Sequence, residues 1–336
     1  MLTSSPVPLT QAHDLAMLDL DGVVYVGGVA VARAPEALAA ARRDGMRLAF
    51  ITNNASRTPA TVAEHLSTIG IPAEQADVVN SAQAAARVLA ARLGSGARVV
   101  NLGAEGLDEA LEDEFLVPVG VDETADALVT GYAPEVPWRD VMRAAVRIRD
   151  GLWWVASNTD MTIPTPYGTA PGHGVLVDML QRFSGVDPVV AGKPARPLLD
   201  ETIRRVGGEK PLMVGDRLDT DILGARNAEI PSLLVMTGVT DLAELVRAPR
   251  GLRPTYLSPD LDGLLTAHPA PTLSGGTTTL GGWSARTEQG RIEVRGAGGT
   301  ADWWRVVAVA AWAHLDRTGT AVTTDALTPP HPDRTP

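Results

Sequence analysis

Two carboxylates one position apart, Asp19 and Asp21, close the apolar run Ala16-Met17-Leu18 and are followed by Gly22. In an extended chain side chains alternate, so both carboxylates leave on one side while Leu20 turns back into the core. Facing one small volume, they repel, and a hard divalent cation with oxygen ligands, usually Mg2+, lets both stay ionised. Further groups follow in order: the hydroxyl of Thr52 in Thr52-Asn53-Asn54, the amine of Lys193 in Gly192-Lys193-Pro194, and the acidic run Asp216, Asp219 and Asp221 after Gly215. Lys193 is notable because, of 29 basic residues, only it and Lys210 are lysines. A compact point charge on a flexible stem suits one oxygen in a crowded site, where an arginine fork does not fit. Lys210, in a polar loop, reads as surface.

This set can carry out phosphoryl transfer. Asp19 would attack phosphorus to give an aspartyl phosphate. Asp21 would protonate the departing oxygen and then deprotonate the attacking water. Mg2+ held by Asp19, Asp216 and the main-chain carbonyl at Asp21 would neutralise charge, and Thr52 and Lys193 would bind the remaining phosphoryl oxygens. Plainer readings compete. Asp216, Asp219 and Asp221 could cap the helix that follows, the preferred reading for Asp219, and Asn53-Asn54 could shape a turn. His13, His65, His268, His314 and His331 have no metal-ligand spacing. The acidic residues between 105 and 114 read as a solvated helix face.

Strands, helices and polar strand tips alternate. Residues 16–19, 48–51, 189–190, 211–214 and 232–236 read as strands, and 34–44, 58–69, 81–93 and 197–206 as helices. The class is α/β, with a Rossmann-like doubly wound parallel-sheet core whose ligands gather beyond the carboxyl ends of the strands. Residues 98–184 repeat the α/β pattern and read as an insertion. The expected division is a core of residues 1–80 and 186–267, an inserted α/β cap of 81–185, a linker of 268–276, a hairpin-plus-helix module of 277–317 and a disordered tail of 318–336. So small a module needs its Trp283, Trp303, Trp304 or Trp312 to pack on the main body or on a second subunit.

With 336 residues and 45% hydrophobic content, the chain can bury real cores. A net charge of −11 excludes an electrostatic binder of nucleic acid or anionic membrane. No apolar run is long enough to span a bilayer, and residues 1–11 lack a signal-peptide pattern, so the expected address is the cytoplasm. The absence of cysteine removes disulfides and thiolate chemistry.

Asp19-Leu20-Asp21-Gly22, Thr52-Asn53-Asn54, Gly192-Lys193-Pro194 and Gly215-Asp216 with Thr220-Asp221, in that order, resemble the four motifs of the haloacid dehalogenase superfamily. The insertion resembles the large α/β cap of the subgroup with nitrophenyl, phosphoglycolate and glycerol-3-phosphate phosphatases. The resemblance implies a Mg2+-dependent phosphatase with Asp221 supporting the metal site from behind. It implies substrate contacts from Asn53, Asn54, Asn158, Asp160 and His173, the last a departure from the smaller or amide residues usual there. It also implies a homodimer acting on a small phosphorylated metabolite. The C-terminal piece resembles the extension of actinobacterial glycerol-3-phosphate phosphatases, which points to glycerol 3-phosphate. Its Arg295-Gly296-Ala297-Gly298-Gly299-Thr300 half matches an acetyl-CoA pyrophosphate loop. Alternatives are a phosphoglycolate or broad sugar-phosphate and nitrophenyl phosphatase, or an idle phosphate-binding sensor, although a sensor is expected to lack Asp19 or Asp21.

Overall fold

The computed structural model describes residues 2–165, 167–325 and 327–330. It divides into two compact units, one of Met1–Leu48, Ile69–Ile71 and Gly208–Pro336, the other of Ala49–Thr68 and Pro72–Gly207. This division cuts the chain elsewhere than the expected core and cap. The second unit joins the 81–185 insertion to the segments carrying Thr52 and Lys193.

In the first unit, Leu15–Asp19 pairs in parallel with Pro211–Gly215, that strand with Ser232–Val235, and that one with Tyr256–Ser258. Their residues are almost all buried, as continuous apolar runs must be in a parallel sheet covered on both faces. Leu18 lies opposite Val214, so Asp19 and Asp216 emerge at the same edge.

The C-terminal part of this unit is larger than a hairpin and a helix. Thr272–Ser274, Thr277–Leu280, Trp283–Glu288 and Arg291–Gly296 form an antiparallel sheet, joined by the helix Thr300–Thr318. That helix shares one apolar cluster with Leu234, Leu245, Val246 and Leu257, in which Trp303, Trp304 and Trp312 are buried. Trp312 Nε1 donates to Leu245 O at 2.8 Å, and Arg305 Nε to Leu257 O at 3.0 Å. The tryptophans thus pack on their own unit.

The expected linker carries a buried His268 and the strand Thr272–Ser274. Its Gly275-Gly276 pair takes φ of 55° and 78°, the backbone that a two-residue hairpin turn requires. The expected disorder after residue 317 does not hold through the described residues. Val322 is buried, and Thr323 N–H donates to Gly290 O at 2.9 Å. The last part of that tail, residues 331–336 with His331, lies outside the described residues. The glycines of the half-matched loop answer to packing: a Cβ on Gly296 would lie 2.1 Å from Gly282 O, and one on Gly298 2.0 Å from Gly281 O.

In the second unit, among the described residues, a parallel sheet runs in the order Val189–Val190, Trp153–Ala156, Ala127–Thr130, Arg98–Leu102, Val117–Val119. Helices Glu105–Asp113, Trp138–Arg149 and His173–Ser184 accompany it. A short antiparallel hairpin, Thr162–Thr165 with Gly168–Pro171, was not legible in the sequence. Thr52 ends the strand Arg47–Thr52 opposite Asn80, which caps the helix Ser81–Leu93.

Candidate active site

In the first unit the strand stops at Asp19, which is half-buried; Leu20 is buried and Asp21, past the strand end, is exposed. Gly22 then takes φ +88°, and a Cβ there would lie 2.4 Å from Asp216 Oδ2. Only glycine meets both demands. Asp216 and Asp221 are fully buried. Asp216 Oδ2 accepts the Val239 N–H at 2.6 Å, in a space that Gly238 leaves open, since a Cβ there would lie 2.0 Å from the same oxygen. Asp221 Oδ2 accepts the N–H groups of Asp216 and Arg217, each at 3.1 Å. A Cβ on Gly215 would collide with the Asp221 side chain at 2.2 Å.

One carboxylate oxygen from each of Asp19, Asp216 and Asp221 lies within 4.8 Å of the others. Three converging carboxylates, two fully buried, place a large negative charge where water cannot screen it. Hard oxygen donors cradled by glycines fit Mg2+. Asp221, expected behind the metal, belongs to the cluster itself while holding the main chain of its neighbours. Asp219 stands apart. It is exposed and paired with Arg217 at 2.8 Å. Burial tends to raise its carboxyl, but the Arg217 hydrogen bond and charge prevail and hold it below the usual range.

In the second unit, the expected Thr52, Asn53, Asn54, Asn158, Asp160, His173 and Lys193 fall in or beside one polar network. Thr52 is buried, and its Oγ1 accepts the Asn54 N–H at 3.1 Å. Asn54 Oδ1 accepts from Ser56 N and Oγ at 2.8 and 2.7 Å, so this side chain shapes the turn. Asn53 bonds to the main chain of Lys193 and to Asp160. Asn158 Nδ2 donates to Asn53 O at 2.6 Å, and its Oδ1 accepts the Asp160 N–H at 3.1 Å. Asn53 and Asn158 therefore support this segment from inside the protein. Lys193 is buried with them.

His173 Nδ1 lies 2.8 Å from Asn158 O, which assigns the proton to Nδ1 and leaves Nε2 as an acceptor. Burial pushes this imidazole down to about 4, so it is neutral near pH 7. Ser81, whose Oγ donates to Asn53 O at 2.6 Å, and Ser157, whose carbonyl packs on Gly192, also belong to this network. Ser81 gave no sequence signal, and Ser157 directly precedes the expected Asn158.

Comparison with known proteins adds to this geometry. Residues 16–115 match a family model described as haloacid dehalogenase-like hydrolase, and residues 190–264 a second, HAD-hydrolase-like model. The chain is 42% identical over 283 residues to a D-glycerol 3-phosphate phosphatase of Mycobacterium tuberculosis, covering 81% of this chain and 79% of that protein. A crystal structure of a glycerol phosphate phosphatase from the same organism, in complex with magnesium, superposes with a TM-score of 0.81 at 39% identity and covers 93% of each chain. A 4-nitrophenylphosphatase from Thermotoga maritima superposes with a TM-score of 0.71 at 28% identity, covering 98% of that chain and 76% of this one.

Proposed function

The chain belongs to the haloacid dehalogenase-like hydrolases, and from that premise we propose that it is a Mg2+-dependent phosphatase that hydrolyses glycerol 3-phosphate through an aspartyl phosphate. The observation that carries this reading is the cluster of Asp19, Asp216 and Asp221 at one sheet edge. Asp19 attacks phosphorus and the phosphorus–ester oxygen bond breaks, while Asp21 gives that oxygen its proton. Asp21 then takes a proton from water, whose oxygen attacks phosphorus and frees Asp19 and inorganic phosphate. Thr52 and Lys193 hold the non-transferring phosphoryl oxygens. Mg2+, held by Asp19, Asp216 and the Asp21 carbonyl with support from Asp221, supplies the charge neutralisation that lets one anion approach another.

The choice of glycerol 3-phosphate is supported by extent of likeness: the magnesium complex matches 93% of this chain, whereas the nitrophenylphosphatase matches 76%. Residues 81–185 serve as the cap, and Asp160 and His173 lie in the segment that reads the leaving group. We read the protein as a cytoplasmic homodimer. An exposed apolar stripe of Trp138, Met142 and Val146 along the helix Trp138–Arg149 supports the dimer. Phosphate release from glycerol 3-phosphate, phosphoglycolate, nitrophenyl phosphate and sugar phosphates tests the substrate. The highest kcat/KM is expected for glycerol 3-phosphate, and a clear preference for another ester overturns that choice.

A further inference from the structure

The carboxamide of Asn53 clamps the main chain of Lys193 with two bonds. Oδ1 accepts the Lys193 N–H at 2.8 Å, and Nδ2 donates to the Lys193 carbonyl at 2.9 Å. The second Nδ2 proton goes to Asp160 Oδ1 at 3.0 Å. A carboxamide has two N–H donors, so both are engaged. The main chain of Asn53 is fixed in turn, because its carbonyl accepts Asn158 Nδ2 and Ser81 Oγ, each at 2.6 Å. The approach is close enough to dictate the neighbouring residue: a Cβ on Gly192 would lie 2.6 Å from Asn53 Oδ1 and 2.6 Å from Ser157 O. Asn53, Asn158 and Lys193 are all buried, where such bonds are strong and an unmet one is costly.

We propose that Asn53 is a positioning residue that fixes the origin of the Lys193 side chain and couples that lysine to Asp160. This rests on the reading of Lys193 as a phosphoryl ligand. A lysine stem has several rotatable bonds, so its ammonium finds one place only if its main chain is held. No other side chain of this size makes the clamp. Aspartate would keep the acceptor for the Lys193 N–H but turn an oxygen toward the Lys193 carbonyl and the Asp160 carboxylate. Alanine would remove all three bonds. The same carboxamide carries the influence of Asp160, so a change at that loop reaches the lysine through one group.

The test is calorimetric titration of inorganic phosphate, with Mg2+ present, into wild type, Asn53→Ala, Lys193→Ala and the double variant, with a thermal midpoint for each. Asn53→Ala is expected to weaken phosphate binding about tenfold, and the double variant to bind within about twofold of Lys193→Ala alone, because Asn53 acts through that lysine. Asn53→Asp takes the place of alanine if the alanine variant does not fold, with the same expectation. Losses that multiply, or an unchanged affinity in folded Asn53 variants, overturn the proposal. Wild-type affinity in Lys193→Ala, or no binding by wild type, overturns the phosphoryl-ligand reading itself, and the coupling falls with it.

Discussion

The carboxylate of Asp221 accepts the main-chain N–H of Asp216 at 3.1 Å while standing in the same acidic cluster. One residue therefore both adds its carboxylate to the acidic cluster and holds the loop that presents Asp216. Asp221→Asn removes the charge while its amide oxygen can still accept the Asp216 and Arg217 N–H groups, so the variant separates charge from loop support. Mg2+ affinity is expected to fall about 10- to 100-fold, read by calorimetric titration of the metal. Wild-type affinity would show that Asp221 only shapes the loop.

Trp312 ties the C-terminal helix to the first unit by burial and by its bond to Leu245 O. Trp312→Ala is expected to cost about 3–5 kcal/mol in urea unfolding, and Trp312→Phe clearly less. A loss under about 1 kcal/mol for the alanine variant would mean that the helix is an appendage.

The imidazoles of His173 and His268 are both pushed down to about 4 from 6.5, chiefly by burial, with the Arg305 charge adding to the effect at His268. Above pH 6.5 both are neutral folded or unfolded, so their contribution is flat. Between 6.5 and about 4 the unfolded chain takes up protons that the folded chain refuses, so stability falls as pH falls, and below about 4 the loss is constant. His268→Gln should remove about half of this slope, measured by urea midpoints across that range. An unchanged slope would show that His268 does not contribute.

The exposed stripe of Trp138, Met142 and Val146 gives an oligomeric prediction. Wild type should sediment as a dimer and Trp138→Glu as a monomer. A monomeric wild type, or a dimer unaffected by the substitution, contradicts that interface.

The parts of the fold and site most legible in the sequence were strand tips. Apolar runs that break into Asp19, Thr52 or Asp216 mark buried strands that end in polar groups, and the strands Leu15–Asp19, Arg47–Thr52 and Pro211–Gly215 end at or just before them. The Asn53 clamp was not legible, because a carboxamide chooses its partners only once distant main chain approaches it; the sequence suggested a turn or a substrate contact. The small C-terminal sheet was half missed for a different reason. Thr272–Ser274 is exposed throughout and Thr277–Leu280 buries only Thr278, so neither shows the apolar alternation that betrays a strand. That Asp221 shares a cluster with Asp19 and Asp216 was not legible either, because spacing along the chain does not reveal which carboxylates the turn brings together.

The most direct measurement is steady-state phosphate release from glycerol 3-phosphate by wild type and Asp19→Asn, each with Mg2+ and with a chelator. Turnover by wild type that requires Mg2+ and falls at least about 1,000-fold in Asp19→Asn is the predicted result. Substantial turnover by Asp19→Asn, or by chelated wild type, would contradict a metal-assisted aspartyl phosphate.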